Sequence, residues 1–214
     1  MVDGTPIRRP QGQLGPGEFG PSQRLDFELE VAFITGSGPA LGEPIPITEA
    51  EDYIFGLVLL NDWSARDIQA FEYQPLGPFL GKSFATTISP WVVPLHELDE
   101  NRIDPPAQSP TPLPHLLPAG RGLDIPLEVI VNGQVVTRSN TRFLYWTMAQ
   151  QLAHATSNGA TIRAGDLFAS GTISGPTDDA RGCLLEMGGP YLEDGDEVVL
   201  RSDVLGSCSG RMVG

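Results

Sequence analysis

Two glutamates in the segment LDFELEVAF have the spacing of a cation-binding pair. Apolar and acidic residues alternate in this segment, and Glu28 and Glu30 stand two positions apart. Residues two apart on a β-strand project to the same side, roughly 6.5 to 7 Å from each other, so their carboxylates can converge on one hard cation. Asp26 lies on the same edge of the predicted strand. The alternative is an antiparallel strand with one solvated face, which shows the same alternation without any ligand.

The run NDWSARDIQAFEY adds an acid and several hydrogen-bond donors. Asp62 ends an apolar strand, where a carboxylate needs a partner that a metal ion could supply. Arg66 and Gln69 share a face of the predicted helix, with Tyr73 one turn further on. These donors suit an anionic or enolate-bearing substrate. The alternative is a solvated helix in which Arg66 forms an ion pair with Asp62 or Asp67.

Two further candidate site residues lie in glycine-containing segments. Lys82 follows GPFLG and is the only lysine in the chain. Thr172, in SGTISG, has small neighbours that allow its hydroxyl to approach a ligand. The alternatives are a solvated loop lysine and an ordinary strand-and-turn threonine. Three histidines share no spacing typical of metal ligation or of a nucleophilic triad, so we expect them to be structural or solvated: His96, His115 and His154.

The elements that must position these residues are mainly strands. Alternation predicts a strand over 25–33, and FGLVLLNDW predicts a buried strand that precedes a short helix over 64–72. Thr48 followed by Glu51 resembles a capping box and predicts another short helix. Gly77, Pro78 and Gly81 predict a tight loop before the strand-like KSFATTISPWVV.

The rest of the chain strengthens the prediction of a β-dominated mixed α/β domain. Asn132-Gly133 between two β-rich runs predicts a two-residue hairpin, and one long helix is predicted over 141–157, closed by Asn158-Gly159. The Pro-rich segment 99–122 should be a surface excursion. The first 24 residues carry Pro and Gly at short intervals and predict an extended, poorly packed leader.

Charge and composition exclude several classes of function. Lys and Arg number 13 against 27 Asp and Glu, a net charge of −14 that disfavours nucleic acid and anionic membrane surfaces as partners. No apolar stretch approaches the ~20 residues of a membrane span. Two cysteines are too few for a disulfide framework, and we expect both to be reduced. The sequence therefore predicts a cytoplasmic protein.

Several stretches resemble the fumarylacetoacetate hydrolase family: LDFELEVAF, FGLVLLNDWSARDIQAFEYQPLGPFLGKSFATTISPWVVP, YWTMAQQLAHATSNGATIRAGDLFASGTISGP and DGDEVVL. NDWSARDIQ and PLGPFLGKSF are typical of the fumarylacetoacetases within it. The resemblance, from about Gly4 to the C-terminus, implies a β roll or sandwich, with a leader over 1–24 and a C-terminal-type catalytic domain over 25–214. It also implies hydrolysis of a carbon–carbon bond in the diketo acid fumarylacetoacetate, the last step of tyrosine and phenylalanine degradation, giving fumarate and acetoacetate.

The resemblance also implies a metal site. Glu28, Glu30 and Asp62 match family carboxylates that hold Ca²⁺ or Mg²⁺, and both ions accept all-oxygen sites. Lys82 and Thr86 match positions near a magnesium ion. Because an ammonium group has no lone pair, any metal contact of Lys82 would come from its backbone carbonyl.

Further roles follow from the same resemblance. The substrate-contacting positions are Gln69, Tyr73 and Thr172. The donors that stabilise the departing acetoacetate carbanion are Arg66, Gln69 and Lys82. Glu186 matches the carboxylate that orients the catalytic histidine. The resemblance implies a homodimer.

The sequence departs from the family pattern in several places. The family's catalytic histidine, a metal-binding aspartate and an arginine and a tyrosine that hold substrate lie upstream of GTPIRRP and are not in this sequence. Ala85 stands where Gly is usual. We therefore expect an N-terminally incomplete chain with impaired hydrolysis. The alternatives are a non-catalytic metal-binding remnant, or another activity of the superfamily such as acylpyruvate hydrolysis or oxaloacetate decarboxylation.

Overall fold

A computed structural model describes all residues, 1–214, and strands dominate it. The strands are β1 (Ile7–Arg8), β2 (Gln11–Gly15), β3 (Glu18–Pro21), β4 (Leu25–Asp26), β5 (Leu29–Thr35), β6 (Ile54–Asp62), β7 (Ser64–Ala65), β8 (Thr86–Ile88), β9 (Val93–Pro94), β10 (Arg102–Ile103), β11 (Gly122–Leu123), β12 (Pro126–Val131), β13 (Gln134–Asn140), β14 (Leu167–Ala169), β15 (Glu197–Ser202) and β16 (Gly206–Val213). The α-helices are α1 (Arg66–Glu72), α2 (Leu80–Ser83), α3 (Met148–Thr156) and α4 (Leu184–Met187).

Two larger sheets enclose the core. One has the strand order β1-β16-β15-β12-β13, and the other has the order β14-β5-β6-β8, with β9 also paired to β6. Strands β15 and β16 lie against β6, and one cluster of 31 buried apolar residues takes members from both sheets, including Leu57 and Leu200. This architecture confirms the predicted β-dominated mixed α/β fold.

The hairpin at Asn132-Gly133 forms as predicted. Both residues adopt positive φ, 50° for Asn132 and 80° for Gly133, which a two-residue turn of this hand requires. Strand β12 pairs antiparallel with β13 on either side of this turn.

The first 24 residues are extended and mostly exposed, as expected of a leader, but short strands connect them to the rest of the domain. Ile7 is fully buried and pairs in parallel register with Met212 of β16. Strands β2 and β3 form a hairpin that packs on α1, where a Cβ at Gly12 would come within 2.7 Å of the Ile68 side chain. The sequence of this segment has no long apolar period because its strands are short.

The predicted strand over 25–33 is divided into β4 and β5. The Glu28 amide lies between them and donates to Oδ1 of Asn61 at 3.1 Å, so a side chain replaces a strand partner at the break. The exposed fractions of Asp26, Glu28 and Glu30 are 0%, 9% and 2%. The acids are therefore buried, and the alternative of a solvated sheet face is wrong.

Two helix boundaries also differ from prediction. A 3₁₀ turn covers Ala50–Tyr53, and Glu49 precedes it without any side-chain cap, so the capping box predicted at Thr48 is wrong. The long helix predicted over 141–157 is a 3₁₀ turn at Thr141–Phe143 followed by α3. The capping box of α3 is formed by Thr147 and Gln150.

The Pro-rich segment is largely exposed, as predicted, with short pieces of 3₁₀ helix and β10 and β11. Cys183 and Cys208 are buried and unpaired. None of the helices combines the length and the hydropathy that crossing a membrane requires.

Candidate active site

Three carboxylates converge at one end of the β5–β6 pair. Glu28 immediately precedes β5, Glu30 lies within it, and Asp62 ends β6. The antiparallel register places Glu30 opposite Leu60, two residues before Asp62. One oxygen from each of the three carboxylates lies within 4.8 Å of the others. The structure thus brings together the three acids that the sequence singled out.

Lys82 contacts this acidic cluster through its ammonium group. Its Nζ lies 2.6 Å from a Glu28 oxygen and 3.2 Å from Oδ2 of Asp62. The Lys82 side chain is 17% exposed, so most of it is removed from solvent. The lone lysine of the chain therefore belongs to the site and is not a solvated loop residue.

Arg66 is buried and binds two acids. Its Nε donates to Asp26 at 2.8 Å, and its Nη1 donates to Glu28 at 2.8 Å and to Oε1 of Gln69 at 3.0 Å. The ion pairs with Asp62 or Asp67 that we considered as alternatives do not form. The Nη2 atom of Arg66 is buried and has no hydrogen-bond partner.

Asp26 connects this arginine to the segment that carries Glu186. Besides Arg66, the Asp26 carboxylate accepts hydrogen bonds from the backbone amides of Leu184 and Leu185, at 2.8 and 3.0 Å. Glu186 lies on the same short helix, is exposed, and accepts hydrogen bonds from the Ser174 hydroxyl and from the Gly182 amide. No histidine contacts Glu186 or the acidic cluster.

Burial and mutual repulsion perturb the acids unequally. Burial, together with the charges of Asp62 and Glu28, raises the pKa of Glu30 to about 8. Burial also raises the pKa of Asp62, although Lys82 opposes this shift. For Glu28 burial is opposed by Lys82 and Arg66, and the net result is a lowered pKa. The cluster is therefore undercompensated by its two basic residues, and a proton remains on Glu30 near neutrality.

The donor set fits a hard divalent cation. Three carboxylates offer only oxygen ligands, which Ca²⁺ and Mg²⁺ prefer. Burial raises the pKa of Glu30 most, and the neighbouring charges of Asp62 and Glu28 raise it further. A cation held by these three residues would replace the proton on Glu30.

Three remaining candidates, Gln69, Thr86 and Tyr73, make different contacts. Because Oε1 of Gln69 accepts from Arg66, its amide NH₂ is left to donate to a ligand. Thr86 pairs with Asp62 across β6 and β8. Tyr73 is 47% exposed at the end of α1, and its hydroxyl contacts only the neighbouring Gln74.

Thr172 joins the cluster to a neighbouring cleft. The amide of the preceding residue, Gly171, donates to Oε2 of Glu30 at 3.0 Å. Thr172 is partly exposed and lines a cleft of about 530 Å³, together with Trp146 and His154. Like the other two histidines, which were expected to be structural or solvated, His154 is exposed.

A sequence model described as "Fumarylacetoacetate (FAA) hydrolase C-terminal" matches residues 1–213. The chain belongs to the fumarylacetoacetate hydrolase family. Curated relatives named "Fumarylacetoacetase" include one from Bos taurus, 49% identical over 98% of this chain, and one from Oryza sativa subsp. japonica, 48% identical over 100% of it. The matches cover 55% and 57% of those relatives, so the chain spans little more than half of their length.

Solved structures share the fold of this family member. A fumarylacetoacetate hydrolase from psychrophilic Exiguobacterium antarcticum superposes with a TM-score of 0.69 at 24% identity, covering 100% of this chain and 62% of the other. A fumarylpyruvate hydrolase from Pseudomonas aeruginosa, in complex with Mn²⁺ and pyruvate, gives a TM-score of 0.64 at 22% identity, covering 99% and 74%. At this identity the similarity shows a common fold.

Two polar residues of this family member escaped the sequence analysis. The alternating pattern places Asp26 only on the same edge as the glutamates, whereas in the structure its carboxylate binds both Arg66 and α4. Glu72 was not singled out, although an acid at the C-terminal end of a helix opposes the helix dipole and is a signal that it has a partner elsewhere.

Proposed function

We propose that this chain forms the cation-binding and anion-stabilising part of a fumarylacetoacetate hydrolase. The reaction is hydrolysis of the carbon–carbon bond of fumarylacetoacetate, a small diketo acid, to fumarate and acetoacetate. The observation that carries the proposal is the convergence of Glu28, Glu30 and Asp62 beside Lys82. The names of the curated relatives, at 48–49% identity, support the choice of substrate.

The three carboxylates would hold Mg²⁺ or Ca²⁺. When bound, such an ion acts as a Lewis acid toward a substrate carbonyl and orients the diketo acid. Thr86, paired with Asp62, supports the same edge of the site. The fold neighbour that holds Mn²⁺ and pyruvate supports a divalent cation beside a keto acid as the general arrangement.

The donors would meet the negative charge that develops on the acetoacetate portion as the carbon–carbon bond breaks. Lys82 contributes an ammonium that is already held at the cluster, and Gln69 contributes the amide NH₂ that Arg66 leaves free. Arg66 has one further donor, Nη2, without a protein partner. Preorganised donors of this kind stabilise a transition state more than a ground state because they need no rearrangement.

The other assignments are parts of the same proposal. Thr172, adjacent to the amide that binds Glu30, and Tyr73 would contact substrate, and Glu186 would orient a catalytic histidine. The proposal extends to a cytoplasmic homodimer, which the resemblance to the family supports.

Cation binding can be measured on the chain itself by calorimetric titration with Ca²⁺ and Mg²⁺. We expect Asp62→Ala to weaken binding, because the two remaining glutamates then repel each other with one ligand fewer. Glu43→Gln removes one negative charge at an exposed position and is the matched control. Equal affinity in the chain and in Asp62→Ala would contradict the proposed cation site.

Catalysis requires a second measurement. We expect the 214-residue chain alone to hydrolyse fumarylacetoacetate slowly or not at all, and a chimera that places it behind the N-terminal region of a fumarylacetoacetase to be active. In the chimera, Gln69→Ala should lower kcat by on the order of 100 to 1000-fold, with a smaller change in KM. The absorbance of the conjugated diketone reports turnover. Cation binding without any turnover in the chimera would favour a metal-binding remnant.

A further inference from the structure

The carboxylate of Glu72 binds three successive backbone amides. Its Oε1 accepts from Phe79 at 2.8 Å and from Gly81 at 2.7 Å, and its Oε2 accepts from Leu80 at 3.1 Å. Glu72 ends α1, and the three amides belong to the start of α2, so one side chain connects the two helices. Hydrogen bonds to an ionised acceptor are roughly twice as strong as neutral ones.

The loop between α1 and α2, residues 73–79, has few other stabilising contacts. Its apolar side chains, and that of Leu80 at the start of α2, are directed into solvent: the exposed fractions are 95% for Leu76, 69% for Phe79 and 52% for Leu80. Because burial of apolar surface is the main source of packing energy, these side chains contribute little to holding the loop. The hydrogen bonds to Glu72 therefore largely determine the position of this loop and of the start of α2.

The same region makes one close backbone approach to α1. A Cβ at Gly81 would lie 2.8 Å from the Gln69 amide nitrogen and 3.0 Å from its Cα, so only glycine allows this contact. The next residue is Lys82, whose ammonium reaches Glu28 and Asp62. Gln69 and Lys82 are thus brought together by contacts that lie outside the acidic cluster.

We propose that Glu72 is a positioning residue: by binding the amides of residues 79–81, its carboxylate fixes α2 against α1 and so holds the Lys82 ammonium at the acidic cluster. Glu72 itself contacts no residue of the cluster. Its importance for catalysis rests on the proposed function, but its control of the position of Lys82 does not.

The single lysine makes this proposal directly measurable. An amine-reactive ester acylates the neutral amine of Lys82 and releases its alcohol, so the rate, followed by mass spectrometry of the peptide that contains Lys82, reports how readily this side chain leaves its ion pairs with Glu28 and Asp62. We expect Glu72→Ala to accelerate acylation by at least about tenfold, a factor that corresponds to about 1.4 kcal/mol. Glu72→Gln retains one acceptor oxygen and should show a smaller increase. Glu43→Gln, which removes the same charge from an exposed position, should react like the unmodified chain.

Hydrogen exchange provides the second measurement. The amides of residues 79–81 should exchange faster in Glu72→Ala than in the unmodified chain, while the far-ultraviolet circular dichroism remains the same. If Glu72→Ala does not fold, the same two measurements on Glu72→Gln decide the question. Unchanged protection of these amides would overturn the proposal, and so would faster amide exchange with unchanged acylation of Lys82.

Neither measurement uses a cation or a substrate. Faster acylation in the Glu72 variants together with an inactive chimera would therefore contradict the proposed function and leave the positioning role supported. Unchanged acylation together with an active chimera would overturn the positioning role alone.

Discussion

Replacing Lys82 by methionine should tighten the binding of a divalent cation, even though it removes a functional group. The ammonium lies 2.6 Å from a Glu28 oxygen, and a calcium ion bound to that same oxygen would lie about 2.4 Å from it, so the two cations would be at most about 5 Å apart. Charges of +1 and +2 at that distance repel by about 1.7 kcal/mol in the dielectric of water, and by more in a partly buried site. We therefore expect at least about tenfold higher affinity in Lys82→Met.

Isothermal titration at pH 9 is the appropriate assay, because Glu30, with a pKa of about 8, is then mostly ionised and proton competition is small. Lys82→Arg retains the positive charge and should bind the cation nearly as the unmodified chain does. Weaker binding in Lys82→Met would refute the reasoning, since it would mean that the ammonium supports the cation site and does not compete with the ion.

Three other predictions concern stability and reactivity. The pKa of Glu30 is about 4.5 in the unfolded chain and is raised to about 8 in the folded chain, so the folded state binds the proton more tightly. The resulting contribution to the free energy of unfolding is fully present below pH 4.5 and is lost as the pH rises through 8. With a chelator present, denaturant titrations should show that the unmodified chain loses stability relative to Glu30→Gln across this interval; parallel profiles would contradict the shift. Burial raises the pKa values of Cys183 and Cys208 to about 11 and 12, so at pH 8 their thiolate fractions are on the order of 100-fold or more below that of an exposed thiol. Reaction with a thiol-specific disulfide reagent should be correspondingly slow until denaturant is added, and rapid labelling of the folded chain would disprove it. Gly210→Ala places a Cβ 2.6 Å from the Trp63 ring and should lower the free energy of unfolding by about 1–3 kcal/mol, measured by urea titration; an unchanged midpoint would show that the ring can move aside.

Features governed by local sequence were predicted well. The hairpin at Asn132-Gly133 depends on two residues that tolerate positive φ, and that property is visible without a structure. The buried strand β6 and the short helix α1 were located within two residues of their bounds. Apolar runs and turn residues carry most of this information.

Contacts between residues distant in sequence, and one local helix-capping motif, were predicted less well. The break between β4 and β5 depends on the Asn61 side chain, which no alternation pattern in 25–33 can reveal. The capping box at Thr48 was wrong, whereas the one at Thr147 and Gln150 lay inside a helix that had been predicted to start earlier. The same four-residue pattern therefore predicted a helix N-terminus that does not form at Thr48, and the N-terminus that does form at Thr147 was not predicted.

The sequence predicted which acidic residues form the candidate site, but it did not predict which basic residue each of them contacts. Strand spacing suggested that Glu28 and Glu30 act together, and the position of Asp62 at a strand end suggested a partner. The pairing of Arg66 with Asp26, and the contact of Lys82 with the cluster, depend on how α1 and α2 pack. That packing depends on Glu72 and Gly81. The position of Glu72 at the end of a helix indicates a partner, but the sequence does not identify the amides that it binds.

The turn at Asn132-Gly133 also affects the chemical lifetime of the chain. In an Asn-Gly pair the glycine amide nitrogen can attack the side-chain carbonyl of asparagine, which expels ammonia and closes a succinimide ring. Water then opens this ring to aspartate or isoaspartate. Here the Asn132 side chain donates to Asp196 at 2.8 Å and accepts from the Glu197 amide at 3.0 Å. These two hydrogen bonds restrict rotation of the side chain. Once converted, the new carboxylate would face the carboxylate of Asp196 without a proton to share, and the turn that organises β12 and β13 would become a site of repulsion. Deamidation at this turn would therefore weaken the pairing of β12 with β13, the feature of the fold that the sequence predicts most directly.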